Sequence, residues 1–334
     1  MDKCLITGGA GFVGSHLADK LVARGDEVTV IDDFSNGSEQ NISHLSVDLT
    51  KADISKKFAP AALKKLIDRK FGVIYHLACF PRSMSFDDPF RDVEVNVAGI
   101  VNVLELAKRT KSKVVFSSNS GIYGTPEKLP INENCEDRPS SPYDVDKLAA
   151  EYFVKVYSKT FSIPATIFRF GTVYGSRQKV SPTWKPVIAE FVCKMLKKTA
   201  PTVDGDGEQT RDFIHVSDIV EALVKAAEVK TDLKPIILSS NTETSINQLY
   251  DTVAKLLNFK KSPKKAPAKI GDVRRMWYDN ARAKKVLRWS PKMTLTEALK
   301  KDVIPYYSKH VEAGKIQTHQ HAPRTRTQLS PKAS

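Results

Sequence analysis

The sequence predicts an α/β chain: a doubly wound parallel sheet with a smaller C-terminal domain. Three observations carry this. Strand-sized apolar runs alternate with helical patterns through most of the first 240 residues. A glycine-rich turn separates the first strand from the first helix. From about Ser176 the patterning becomes less regular. Alternation of this kind implies a parallel sheet covered by helices on both faces.

The expected strands are Lys3–Thr7, Glu27–Asp32, Gly72–Ala78, Lys113–Ser117, Ala165–Phe170 and Pro235–Ser239. Each is a short apolar run bounded by turn residues. Helices are expected between them, over Ser15–Ala23, Ala61–Lys70, Asp92–Arg109, Tyr143–Thr160 and Ser217–Val229. In Ser15–Ala23, Leu17, Leu21 and Val22 recur at helical spacing. Between strand and helix lies Thr7-Gly8-Gly9-Ala10-Gly11-Phe12-Val13-Gly14. Gly9 permits the tight turn, Gly11 lets backbone approach a pyrophosphate, and Gly14 lets the helix pack on the strand. The helix N-terminus offers N–H groups and a positive dipole end to phosphates. The second strand ends in Asp32, about 20 residues beyond the motif, where a carboxylate accepts bonds from the adenosine ribose. That charge repels a 2′-phosphate and no Arg follows it directly, so the expected cofactor is NAD and the sheet is of Rossmann type. No metal ligand set is spaced along the chain.

The chain has 334 residues, of which 41% are hydrophobic and 27% charged, ample for a buried core. No apolar run approaches the length of a membrane span. The first strand begins at Lys3, leaving no room for a signal peptide, and the four cysteines lack metal-ligand spacing. A cytoplasmic protein is expected, with Cys4 and Cys79 in buried strands. The net charge of +14 comes from scattered lysine pairs rather than a basic stripe interleaved with aromatics. The expected partner is therefore a small phosphorylated substrate, with no nucleic acid and no membrane. Domain boundaries are expected at 1–175 (cofactor binding, the sheet completed by about 211–240), 176–313 (mainly substrate binding) and 314–334 (a disordered basic tail).

Tyr143 and Lys147 stand four apart on one face of an expected helix, after Ser141-Pro142. An ammonium near a phenol stabilises the phenolate, which can then take a proton from a hydroxyl as hydride leaves the same carbon. Neither motif specifies this chemistry alone; together they indicate redox chemistry on an alcohol.

With these motifs the chain resembles the extended short-chain dehydrogenases/reductases, specifically nucleotide-sugar epimerases of the UDP-glucose 4-epimerase type. The resemblance covers about residues 1 to 310. Further matching segments are Asp32-Asp33-Phe34-Ser35-Asn36-Gly37, Asp48-Leu49, His76-Leu77-Ala78, Asn96, Gly205 to Asp218 and Gly271 to Arg275. The resemblance implies that Gly8, Gly11, Phe12, Val13, Gly14, Asp32, Asn36, Asp48, Leu49, Leu77, Ala78, Tyr143 and Lys147 bind NAD. It implies that Arg211 holds the substrate diphosphate, with Lys269 and Arg274 nearby. Two positions depart from the family. Asn119 stands where the family has a catalytic Ser or Thr, and a carboxamide cannot relay a proton. Ser118 and Ser120 are its neighbours, facing the other way in a regular strand. Thr172 stands where many relatives have asparagine. Sugar dehydratases and decarboxylases of this fold keep an acid after the catalytic hydroxyl, where this chain has Ser120-Gly121. The resemblance therefore implies C4 inversion of a UDP-hexose. It also implies a homodimer built from the Asp92–Arg109 and Tyr143–Thr160 helices, the first apolar on more than one side through Val97, Ile100, Val101, Leu104 and Leu106. A decarboxylase or dehydratase, and an NAD-binding sensor with impaired chemistry, are the alternatives.

Overall fold

The computed structural model describes residues 2–181, 185–268 and 273–314. Its strands are β1 (Lys3–Thr7), β2 (Glu27–Asp32), β3 (Asp48–Lys51), β4 (Val73–His76), β5 (Lys113–Asn119), β6 (Ala165–Phe170), β7 (Thr172–Tyr174), β8 (Thr202–Asp204), β9 (Thr210–His215), β10 (Ile236–Leu238), β11 (Glu243–Ser245) and β12 (Lys264–Ala266). Seven of them form one parallel sheet in the order β10-β6-β5-β4-β1-β2-β3. The order reverses at β1 and β4, where Thr7 lies opposite His76, so their carboxyl ends frame a crevice.

The helices are α1 (Phe12–Ala23), α2 (Pro60–Asp68), α3 (Pro89–Val93), α4 (Gly99–Thr110), α5 (Pro142–Phe161), α6 (Val187–Leu196), α7 (Val216–Ala226), α8 (Ile246–Leu256), α9 (Ala281–Leu287), α10 (Leu295–Ala298) and α11 (Ile304–Glu312). One face of the sheet is covered by α1, α7 and α9, through residues such as Leu17, Leu21, Ile219, Leu223 and Leu287. The other is covered by α2, α4 and α5, through Leu66, Ile100, Val103, Leu104, Ala150 and Val154. This is the doubly wound arrangement expected. A third core, built from α6, α8, α10 and α11 around Phe191, Leu249, Leu299 and Tyr307, belongs to the C-terminal part.

The structure departs from the sequence expectations in three places. Asp48–Lys51 is a strand on the sheet edge, hidden in the sequence because an edge strand of four residues with one aliphatic side chain carries no apolar run. The helix expected over Asp92–Arg109 starts at Pro89, where the Asp88 side chain accepts the Arg91 N–H, and widens into a π-turn over Glu94–Ala98 before α4. The segment 281–289 packs on the first domain, with Trp289 Nε1 donating to the Asp218 carbonyl at 2.9 Å. The expected tail at 315–334 lies outside the described residues.

The first turn shows why the motif needs glycine. Gly8 has φ +71, and a Cβ there would sit 2.7 Å from the Ala78 amide nitrogen. A Cβ at Gly14 would run into the Gly8 carbonyl oxygen. Gly14→Ala should therefore destabilise the chain by about 1–3 kcal/mol through overpacking, read as a lower urea midpoint at unchanged slope; an unchanged midpoint would mean that the turn yields.

Candidate active site

A cleft of about 820 Å³ opens at the carboxyl ends of the central strands, at the reversal point of the sheet. At one end it is walled by the glycine turn, with Gly8, Gly11, Phe12, Val13 and Gly14, and by Asp32, Asn36 and Gly37. Gly11 caps α1 with no side chain of its own, so the first N–H groups of that helix are left for an anion. Asp32 is buried; its oxygens accept the Ala10 N–H at 2.9 Å and the Phe34 N–H at 2.8 Å. Burial raises its pKa, opposed by those two donors. Each oxygen keeps a lone pair for a ribose hydroxyl. A glycine cradle that any Cβ would fill, a bare helix N-terminus and a carboxylate fit an adenine dinucleotide.

The other end is organised by α5. Its N-terminus is set by Ser141, whose hydroxyl accepts the Asp144 N–H, followed by Pro142 in the first turn. Three polar side chains of α5 then bond three successive residues of β5. Asp144 accepts from Asn119 Nδ2 at 2.6 Å, Lys147 donates to the Ser117 carbonyl at 2.8 Å, and Glu151 accepts from the Ser118 hydroxyl at 2.6 Å. Asp144 is also held by Arg82, and Glu151 by the buried Arg169. Tyr143, one residue before Asp144, lines the cleft.

Several residues do not have the surroundings that the sequence predicts. Asn119 lines the cleft, yet both ends of its carboxamide are engaged: Oδ1 accepts the Gly121 N–H at 2.8 Å while Nδ2 holds Asp144. It is an anchor between strand and helix. Ser118 and Ser120 line the cleft as expected, Ser118 tied to Glu151 and Ser120 buried beside Tyr278. Burial and the adjacent Cys79 thiol push Tyr143 well above its usual pKa, rather than Lys147 drawing it down. The Lys147 ammonium stands 5.7 Å from the tyrosine ring centroid and is turned to the Ser117 carbonyl. Asp48 is ion-paired with Arg69, and neither Asp48 nor Leu49 lines the cleft; Asp53 and Ile54, just beyond them, do. Asp48-Leu49 opens β3, while a second Asp-aliphatic dipeptide, Asp53-Ile54, follows that strand and reaches the cleft. Arg274 is paired with Asp206 on the surface and does not line the cleft. Lys269 lies outside the described residues. Cys79 is exposed, beyond the end of β4, and not in a buried strand.

Leu77, Ala78, Thr172 and Arg211 line the cleft as expected. Arg211 donates to the Thr210 and Val273 carbonyls at 2.7 and 2.9 Å, which sets its guanidinium at the far wall. Phe80, Arg82, Gln178 and Lys179 also line the cleft and were not singled out in the sequence, because loop residues carry no periodicity.

The fold and the comparisons together define an NAD-dependent enzyme of Rossmann type. The chain belongs to the family described as GDP-mannose 4,6 dehydratase, whose model matches residues 5–301, within the extended short-chain dehydrogenases/reductases. It is similar to UDP-glucose 4-epimerase of Mycolicibacterium smegmatis, 34% identical over 309 residues, covering 90% of this chain and 97% of that one. It is also similar to UDP-glucuronic acid decarboxylase 3 of Arabidopsis thaliana, 35% identical over 89% of this chain and 86% of that one. Among solved structures, UDP-glucuronic acid 4-epimerase from Bacillus cereus, in complex with UDP-glucuronic acid and NAD, matches with a TM-score of 0.82 and 31% identity, over 92% of this chain and 99% of that one.

Two outcomes follow from the geometry. Cys79 should react with iodoacetamide in the native protein, and saturating NAD should slow that reaction at least roughly tenfold; Cys4 and Cys193, buried and with thiols pushed up to about 12, should react only on unfolding. Peptide mapping by mass spectrometry reads both, and an unprotected Cys79 would place the cofactor elsewhere. Asn119→Ala should cost about 1–3 kcal/mol of stability by stripping a donor from buried Asp144, measured by denaturant unfolding; a neutral result would remove the anchor assignment.

Proposed function

We propose that this protein is an NAD-dependent nucleotide-sugar epimerase that inverts C4 of a UDP-hexose. The observation that carries this reading is the chemistry around Tyr143. Among the described residues, the acidic side chains lining the cleft are Asp32, Asp33 and Asp53, all on the β2–β3 side, and none lies beside Tyr143. Elimination of water needs a positioned acid or base in addition to the tyrosine. Epimerisation needs one group that takes a hydroxyl proton and returns it.

Gly8, Gly11, Phe12, Val13, Gly14, Asp32, Asn36, Leu77 and Ala78 would hold NAD, with Tyr143 and Lys147 at its nicotinamide end. Bound NAD supplies a hydride acceptor at the sugar carbon and, when oxidised, a positive charge near the tyrosine. Arg211 and Thr172 hold the diphosphate, so the sugar is anchored by its leaving end and its ring is free to present either face. Tyr143 takes the C4 hydroxyl proton. The high pKa of the isolated phenol means that it is protonated until positive charge arrives, which couples proton abstraction to an occupied cofactor site. Lys147, fixed by the Ser117 carbonyl, is already in place when that charge arrives.

The protein is also proposed to be a cytoplasmic homodimer. Its four cysteines are free, and among the described residues no helix is long and apolar enough to cross a membrane. Among the described residues, the exposed large apolar side chains are Met84, Phe86, Phe90, Val93, Val145, Tyr152, Phe153 and Val156. All fall on the segment leading into and through α3 or on α5. Such a patch on a pair of packed helices suits a two-fold interface with a second copy.

Incubation with UDP-galactose, UDP-glucose and their N-acetyl forms should give interconversion of at least one pair without net NADH; loss of water or of carboxylate from a UDP-sugar instead would establish the dehydratase or decarboxylase alternative. Tyr143→Phe should reduce kcat by at least about a thousandfold while NAD binding, followed by calorimetry, survives. Phe90→Asp should convert a dimer to a monomer in light scattering; an unmutated protein that is already monomeric at micromolar concentration contradicts the interface.

A further inference from the structure

The loop after β7 pins three consecutive residues and leaves the fourth unpaired. The Ser176 N–H donates to the Asp302 carboxylate at 2.8 Å. Arg177 is ion-paired with Asp19 of α1 at 2.7 Å. The Gln178 carbonyl accepts the hydroxyl of Tyr307, buried on α11, at 2.6 Å. The Gln178 side-chain amide donates to the Val173 carbonyl at 3.2 Å, which folds the loop back on β7. Lys179 comes next, exposed to solvent and lining the cleft. It makes no hydrogen bond or ion pair with another described residue. A lysine on an open surface needs no partner. This one stands in a cleft wall, on backbone tied at each of the three preceding positions.

Charge at this end of the cleft is one-sided. Among the described residues, the cationic side chains lining it are Arg82, Arg91, Lys179 and Arg211. Arg82 is matched by Asp144 and Arg91 by Asp53. The acidic lining residues Asp32, Asp33 and Asp53 all lie on the β2–β3 side. Parallel pairing of β7 with β9 sets Thr172 opposite Phe213, two residues beyond Arg211. With Gln178 bonded to Val173, the chain around Thr172, Lys179 and Arg211 meets in one corner of the cleft. Thr172 is also the position where many relatives have the longer asparagine. A lysine carries an ammonium with three donors on a four-carbon stem. From the loop it can meet a group that the shorter side chain on β7 does not reach.

We propose that Lys179 is a substrate-binding residue that pairs with an oxyanion of the nucleotide sugar. Such a substrate offers two kinds of oxyanion: its diphosphate, and a carboxylate where the sugar carries one. An ammonium forms a charge-assisted hydrogen bond to either. The proposal rests on the nucleotide-sugar reading above. It adds that binding in this corner comes from a loop charge that Thr172 alone does not supply.

The experiment is calorimetric titration of the NAD-saturated full chain with UDP, UDP-glucose and UDP-glucuronate, for the unmutated protein, K179Q and K179R. K179Q should weaken at least one ligand at least roughly fivefold, and K179R should restore it to within about threefold. Equal weakening of all three assigns the diphosphate; weakening of UDP-glucuronate alone assigns the carboxylate. The affected affinity should also fall more steeply with salt in the unmutated protein than in K179Q, which a merely structural role would not produce. In turnover, K179Q should raise KM at least roughly fivefold while kcat stays within about twofold. The K179Q urea midpoint should match that of the unmutated protein, since the side chain is exposed. Unchanged affinity for all three ligands overturns the proposal. So does a loss confined to NAD, which would give Lys179 to the cofactor. Weaker UDP binding in K179Q, with no turnover of any nucleotide sugar by the unmutated protein, leaves the binding residue standing and removes the epimerase reading. Turnover with affinities indifferent to K179Q does the reverse.

Discussion

The seating of α5 on the end of β5 governs this structure. A helix placed on a sheet by apolar contacts alone can slide, because side chains such as Ala150 and Val154 are slippery and non-directional. Here three directional bonds, from Asp144, Lys147 and Glu151 to Asn119, Ser117 and Ser118, fix the helix in translation and rotation. The helical spacing of the three side chains puts them on one face. The residue before the first of them, Tyr143, is then delivered to the cleft wall. All three rivets are charged side chains in a nearly dry environment, and the two carboxylates each have a counter-ion: Arg82 for Asp144, Arg169 for Glu151. Removing any one partner leaves a buried charge.

The remainder of the site depends on the same seating. The glycine turn and the end of β2 are fixed by the sheet, and Arg211 by backbone carbonyls of its own domain. In the proposed reaction Tyr143 meets a sugar held between them, and a displacement of about 1 Å there is costly to proton transfer. Placing the tyrosine one position from a clamped aspartate makes its location a property of the fold rather than of a flexible loop.

The sheet was legible because its strands are buried on both faces and read as apolar runs; β1, β2 and β6 match their expected bounds. The edge strand β3 and the short strands β7, β8, β11 and β12 were not, since three- and four-residue strands leave too few positions for a pattern. The dinucleotide end was legible because glycine is demanded by backbone geometry, which any sequence must show. The catalytic end was only half legible. Spacing alone placed Tyr143 and Lys147 together, but the partners of Asn119 and Ser118 come from a helix 25 or more residues away, and nothing local records them. A polar residue at a strand end looks the same whether it faces a ligand or bolts a helix down. The surroundings of the tyrosine are hidden for a related reason: spacing in sequence shows the nearby lysine, while burial, a tertiary property, raises the phenol's pKa.

The bond between Asn119 and Asp144 also constrains how this chain can diverge. A hydroxyl in place of the carboxamide would have to serve both the Gly121 amide and the aspartate with a single oxygen, and an apolar residue in place of Asp144 would strand Arg82 and the carboxamide together. Either replacement made alone passes through a protein with an unmet polar group beside its tyrosine, whereas both made together need not. Positions 119 and 144 are therefore epistatic: the residue tolerated at one is set by the residue already present at the other. Descendants of this sequence should change the two in step, and a hydroxyl at 119 becomes accessible only in a background where the start of α5 has already been rebuilt.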